Sequence, residues 1–181
     1  GDFGGWGQYP GGVWFVDSNY LYTQGLIGSW STIAYTENFS NFDYEVKMRR
    51  YGSDTHSNTI IVRGTPTPIG YLNMWNSGYL FQYSREGDYS IWMFFSDGSA
   101  TPIQNWTYSS AINTGDAWNT LRVVANGSTF NFYINGTLVW SGTDELYSYY
   151  SSGRVGIAMY REDDGVDEEY FFVDWATLST I

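Results

Sequence analysis

The chain has 181 residues, long enough for one domain with a full apolar core, and its 9 tryptophans, 17 tyrosines and 11 phenylalanines supply the bulk to fill it. A formal net charge of −11 opposes polyphosphate backbones and anionic membrane surfaces, which excludes nucleic acid as a partner and leaves a neutral ligand or a cation. The absence of cysteine excludes disulfides and thiolate chemistry, a single histidine (His56) excludes His/Cys zinc sites, and no apolar run approaches the ~20 residues that cross a bilayer, so no membrane insertion is expected.

Taken in order, residues 1–12 are glycine-rich and read as irregular. Trp14-Phe15-Val16 and Tyr20-Leu21-Tyr22 read as short strands joined by the polar turn Asp17-Ser18-Asn19. Ser31 to Tyr35 is another. The segment from Phe42 to Arg50 alternates cleanly, with Phe42, Tyr44, Val46 and Met48 facing in and Asp43, Glu45, Lys47 and Arg49 facing water. Thr59 to Arg63 follows. The run Gly64-Thr65-Pro66-Thr67-Pro68-Ile69-Gly70 cannot be regular. Tyr71–Trp75, Tyr79–Tyr83 and Tyr89–Phe95 are expected as strands, and 96–117 as a long polar excursion. From Trp118 to Trp140 two Asn-Gly pairs sit between alternating apolar runs, which predicts a three-stranded meander with type I′ turns at Asn126-Gly127 and Asn135-Gly136. Arg154 to Tyr160 and Tyr170 to Leu178 complete about twelve strands, with no helix, no linker and no repeat. A meander with one greasy face and no helix to cover it requires a second sheet, so the expectation is an all-β sandwich of two antiparallel sheets, a single domain over 1–181.

Asn41-Phe42-Asp43-Tyr44-Glu45-Val46, Ile60-Ile61-Val62-Arg63-Gly64, Trp118-Asn119-Thr120-Leu121-Arg122-Val123, Phe132-Tyr133-Ile134-Asn135-Gly136, Gly153-Arg154-Val155-Gly156-Ile157 and the closing Phe172-Val173-Asp174-Trp175 come in an order that resembles the concanavalin A-like lectin/glucanase superfamily. The likeness covers roughly residues 13–178 and is strongest to laminin-G-like domains and the 3-keto-disaccharide hydrolase domain. It implies a jelly roll of two curved sheets and, in many relatives, a carbohydrate-binding module of a secreted glycan-degrading protein. Others serve in adhesion, so the fold does not decide the function. The superfamily's glucanases carry Glu-x-Asp-x-Glu on one strand, and that pattern is absent here. An acid at the place of Asp174 holds structural calcium in many related jelly rolls. Pairing of Asp174 with an arginine or with backbone amides is the competing reading, since an unpartnered buried carboxylate is costly.

The expected function is non-catalytic binding of a polysaccharide or oligosaccharide on a concave sheet face. Aromatic rings would stack under the sugar while polar side chains fix its hydroxyls. The ligand-contacting residues are Arg63, Tyr71, Asn73, Trp75, Gln82, Trp92, Tyr160 and Glu162. Arg63 leads because a charge closing an apolar strand should point into a groove. The segment Glu162–Glu169 holds six acids in eight positions. It reads as a solvated loop, a calcium site or, in an enzymatic alternative, the source of glycoside-cleaving carboxylates. His56 reads as a solvated loop residue. A structural or adhesion domain is the other alternative. Abundant aromatics and Gly, a single lysine and many Ser, Thr and Asn suggest a secreted or cell-surface location, as one module of a larger polypeptide; of four sequons (Asn38, Asn105, Asn126, Asn135), two coincide with hairpin turns, and they read as turn chemistry before glycosylation.

Overall fold

The computed structural model describes residues 4–10, 13–143 and 150–181. Its strands are β1 (Trp6–Tyr9), β2 (Phe15–Asp17), β3 (Tyr20–Thr23), β4 (Ser29–Tyr35), β5 (Phe42–Tyr51), β6 (Asn58–Thr65), β7 (Ser77–Tyr83), β8 (Asp88–Phe94), β9 (Ala100–Tyr108), β10 (Asn119–Asn126), β11 (Thr129–Ile134), β12 (Thr137–Thr143), β13 (Arg154–Arg161) and β14 (Tyr170–Thr180). They form two seven-stranded sheets. The first runs β1-β4-β13-β6-β7-β8-β9 and the second β12-β11-β10-β5-β14-β3-β2. Every strand pairing within them is antiparallel, and the whole is a jelly-roll sandwich.

Period-two alternation builds the core. Phe42, Tyr44, Val46 and Met48 of β5 and Leu121, Val123 and Ala125 of β10 turn inward from the second sheet. Ile60, Val62, Tyr79, Phe81, Ile91, Met93, Val155 and Ile157 meet them from the first. Each buried aliphatic or aromatic side chain of this kind contributes about 1.5–3 kcal/mol. A second apolar cluster lies on the outward face of the first sheet: Ala34, Ile61, Trp75, Leu80, Phe94 and Ala158.

The meander β10-β11-β12 forms as expected. Its second hairpin has Asn135 and Gly136 as the central pair at φ 48° and 78°, the type I′ signature. The first differs. Asn126 pairs with Thr129, so the loop is Gly127-Ser128, and only Gly127, at φ 57°, is left-handed. The register holds Asn126 inside the ladder, and the turn is not type I′.

Three local expectations are corrected. Trp6–Tyr9 in the segment expected to be irregular pairs with β4. The excursion 96–117 contains the nine-residue β9. Tyr71–Trp75 is not a strand: Tyr71–Asn73 form a 3₁₀ turn, with Leu72 and Asn73 at φ 50° and 60°. Thr65 pairs with Ser77 across the base of this segment, so 66–76 leave the sheet as one loop.

Candidate binding face

The outward face of the first sheet is built by register. One cross-strand row runs Thr32, Ala158, Thr59, Gln82, Ser90, and the next runs Ala34, Gly156, Ile61, Leu80, Trp92. The first row is polar and connected. Thr59 Oγ1 donates to Gln82 Oε1 at 3.2 Å, Gln82 Nε2 donates to Ser90 Oγ at 2.9 Å, and the Trp92 indole N–H donates to the same Ser90 Oγ at 3.0 Å. This chain fixes the orientation of Gln82 and of the half-buried Trp92 ring, and leaves one amide hydrogen and one carbonyl lone pair of Gln82 for something above the sheet. Beside the polar row, Trp30 and Tyr160 are cross-strand partners whose rings meet at 5.2 Å, tilted by 49°.

The 66–76 loop folds over the other end of this face, and Trp75 anchors it. Its indole covers Gly64 and Gly156, where an added Cβ would come within 2.5 Å and 2.4 Å of the ring. Its N–H donates to Thr32 Oγ1 at 2.6 Å. Trp75 is 1% exposed, so it holds the loop down and offers no ring face to a ligand, contrary to its expected role as a stacking plate. Asn73 Nδ2 donates to Ser29 Oγ at 2.7 Å, which in turn donates to Leu72 O at 2.8 Å, pinning the 3₁₀ turn against β4. Tyr71 crowns the loop, 78% exposed. Between this loop and the Phe95–Ala100 turn lies a cleft of about 260 Å³, bordered by Trp30, Tyr71, Met74, Leu80 and Phe94.

The acidic segment stands beyond Tyr160, the residue before Arg161 at the end of β13. It is held by buried charges that parity could have found, since Arg50 continues the inward series of β5. The Arg50 guanidinium reaches Glu169 Oε1 at 2.7 Å and donates to the carbonyls of Ser57 and Tyr160 at 3.0 and 2.7 Å. Burial lowers its pKa to about 10, with Glu169 acting against that, so it stays charged at neutral pH. His56 Nδ1 lies 2.9 Å from Glu169 Oε1. Its Nε2 faces Asp164 and Glu162 at 3.3 and 3.7 Å. His56 is 3% exposed, not solvated as expected, because Arg50 and Glu169 draw the 52–57 loop over themselves. Arg161 donates to the carbonyls of Val166 and Asp167 at 2.9 and 3.2 Å, closing the acidic segment on itself. Glu162 is exposed at its rim.

Of the expected ligand residues, Asn73, Gln82, Trp92, Tyr160 and Glu162 belong to this face or its rim, and Tyr71 overlooks it. Arg63 does not. An irregularity in the β6-β7 register after Val62 and a φ of 47° turn its side chain to the end of the sandwich. There it donates to the carbonyls of Ser40 (3.1 and 2.6 Å), Gly127 (2.7 Å) and Tyr150 (3.3 Å) and lies over the Phe130 ring at 4.7 Å. It fastens loops instead of facing a groove. Trp30 and Ser90 are additions. Trp30 was hidden because nothing in the sequence says that β4 lies beside β13.

Asp174 lies on the other sheet, at a register shift in β14, and pairs with Lys47 at 2.8 Å. Among the described residues no group of three His, Cys, Asp or Glu side chains is placed to hold a metal ion, so a calcium at Asp174 would need backbone carbonyls and water for its other ligands.

The family model for the 3-keto-alpha-glucoside-1,2-lyase-like domain matches residues 1–166. No curated protein matches the chain in sequence. Among solved structures, the carbohydrate-binding module CBM66 from Bacillus subtilis superposes with a TM-score of 0.74 at 18% identity, covering 97% of this chain and 96% of that one. A putative glycosyl hydrolase from Parabacteroides distasonis gives 0.70 at 16%, over 99% and 90%. The metal-free carbohydrate recognition domain of Emp46p gives 0.69 at 11%, over 96% and 87%. At these identities the likeness is one of fold.

Proposed function

Because this chain belongs to the 3-keto-alpha-glucoside-1,2-lyase-like domain family, we propose that it binds an oligosaccharide on the outward face of its first sheet, between the Trp75-anchored loop and the acidic segment. The observation that carries this is the connected row Thr59–Gln82–Ser90–Trp92, polar groups locked in place beside half-buried indole and phenol rings and next to an open cleft. Trp92 and the Trp30–Tyr160 pair supply apolar ring faces. Gln82 and Asn73 supply hydrogen bonds, and Glu162 closes the rim. A neutral sugar suits a face whose described lining side chains carry few charges. The named functions of the structural neighbours, a carbohydrate-binding module and a carbohydrate recognition domain among them, support the same reading. We place the protein outside the cell, as a non-catalytic module of a larger polypeptide.

A glycan array selects the ligand, and calorimetry tests the face. Removing an aromatic platform at a binding site commonly costs more than about 1 kcal/mol. Trp92→Ala and Tyr160→Ala should therefore keep the fold while at least one weakens binding tenfold. Unchanged affinity in both, with melting temperatures retained, sinks the site.

The second reading is enzymatic, and the arrangement of His56 favours it. One ring nitrogen is held by Glu169 while the other faces Glu162 and Asp164 at the rim, the layout of an oriented base next to carboxylates. The family's name contains a lyase. Release of cleaved product from an array-selected glycan, abolished by His56→Gln in folded protein, would establish this reading over pure binding.

A further inference from the structure

The outward face of the second sheet carries a feature that the proposed site does not use. Register places Phe15 opposite Tyr22, Tyr22 opposite Phe172 and Phe172 opposite Arg49, and Trp118, just before β10, completes the row. The rings are mutually arranged. Tyr22 and Phe172 stack at 6.1 Å, Tyr170 and Phe172 at 5.9 Å, and Tyr20 and Trp118 at 5.6 Å. The Arg49 guanidinium lies between two of them, 4.9 Å from the Trp118 ring and 5.1 Å from that of Phe172.

Arg49 makes this more than padding. The chain has seven arginines and nineteen acids. The other six arginines all donate to carboxylates, carbonyls or a phenol oxygen. Among the described residues Arg49 makes no ion pair, and its Nε is buried without a hydrogen-bond partner. The nearby acids are engaged elsewhere: Asp174 by Lys47 and Asp116 by Arg85. Rings lying against a guanidinium leave its in-plane fork of N–H groups to match a carboxylate. A hollow of about 220 Å³ opens beside it, bordered by Arg50, Tyr51, Tyr170, Phe172 and Asp116, the last held by Arg85.

We propose that this row is a second ligand site, on the sheet opposite the first, for an acidic oligosaccharide: a uronate carboxylate meets the Arg49 edge and adjoining sugar rings lie along Phe172, Tyr22 and Trp118. The charge of the arginine selects the carboxylate, and the accessible parts of these half-buried rings take the apolar faces of the sugars.

Calorimetry with trigalacturonate, and with the same trimer as its methyl ester, tests this. Wild-type protein should bind trigalacturonate and bind the ester at least tenfold more weakly. Arg49→Gln and Trp118→Ala should each weaken trigalacturonate at least tenfold, and Trp92→Ala, on the other face, should leave it unchanged. The ester comparison uses unaltered protein, so it stands even where a variant folds poorly. Absent binding, equal affinity for acid and ester, full affinity in folded Arg49→Gln, or an equal loss in Trp92→Ala would each overturn the proposal.

Discussion

Glu169 is 0% exposed, and its Oε1 takes the Arg50 guanidinium, His56 Nδ1 and the Ser53 backbone N–H. Removing one partner of a buried ion pair strands the other and costs about 3–5 kcal/mol, whereas replacing both by apolar groups is often nearly neutral. Glu169→Ala should lower the unfolding free energy in urea by that amount, and Arg50→Met with Glu169→Leu should recover most of it. A loss below about 1 kcal/mol in the single variant would show that the acidic segment is not held this way. If Asp174 holds a structural calcium beside its Lys47 pair, adding calcium to metal-free protein should raise the melting temperature, and an identical melt with and without calcium would overturn that reading. Arg50 was legible in its inward parity along β5. Arg63 was not, because parity counts fail where a strand's register breaks, and the break leaves no mark in the residues themselves. The side chain of Asn135 donates to Ala111 O and Asn119 Oδ1 and accepts from the Thr120 N–H, so at that sequon the amide is committed to the turn.

Among the elements, the meander was the most readable, since alternation and Asn-Gly turns point the same way. Its turns now make unequal demands. Gly127 and Gly136 both sit at positive φ, and a Cβ at either meets nothing within 4 Å. Valine there therefore costs only backbone strain, about 1–2 kcal/mol. Gly136→Val and Gly127→Val should each lower the melting temperature by that equivalent without altering the circular dichroism of the native state. A loss confined to Gly136 would mean that the Gly127-Ser128 turn can relax to negative φ. Tyr71–Trp75 misled because its alternation of apolar and polar residues is real but serves a loop. Its bulky anchor needs Gly64 and Gly156 beneath it, and no local pattern announces a contact across 81 residues of chain.

For the molecule as a whole, the two-sheet sandwich followed from composition and pattern, but the strand order did not. The placing of β13 between β4 and β6 brings Tyr160 beside Trp30, and it rests on contacts at least 90 residues apart, from Arg154 with Gly64 upward. The core's phenols give the sandwich a characteristic alkaline limit. Burial raises Tyr44 well above its ordinary value of 10.0 and raises Tyr83 and Tyr89 as well, while it lowers Arg50. Above pH 10 the unfolded chain releases phenolic protons that the native state keeps, so the native state binds more protons and stability falls as pH rises; it is fully present below that value. Unfolding in alkali should therefore coincide with a step in phenolate absorbance, and smooth titration of all tyrosines in folded protein would contradict it. The loop over the first sheet has one further consequence. Its ends are closed by the Asn76 N–H donating to Thr65 O at 2.8 Å, and its clamp is the Trp75 indole on two glycines. The stretch between can change length or chemistry without disturbing the ladder below, so the scaffold carries an exchangeable cartridge, and new selectivity can arise by grafting residues 66–74 alone.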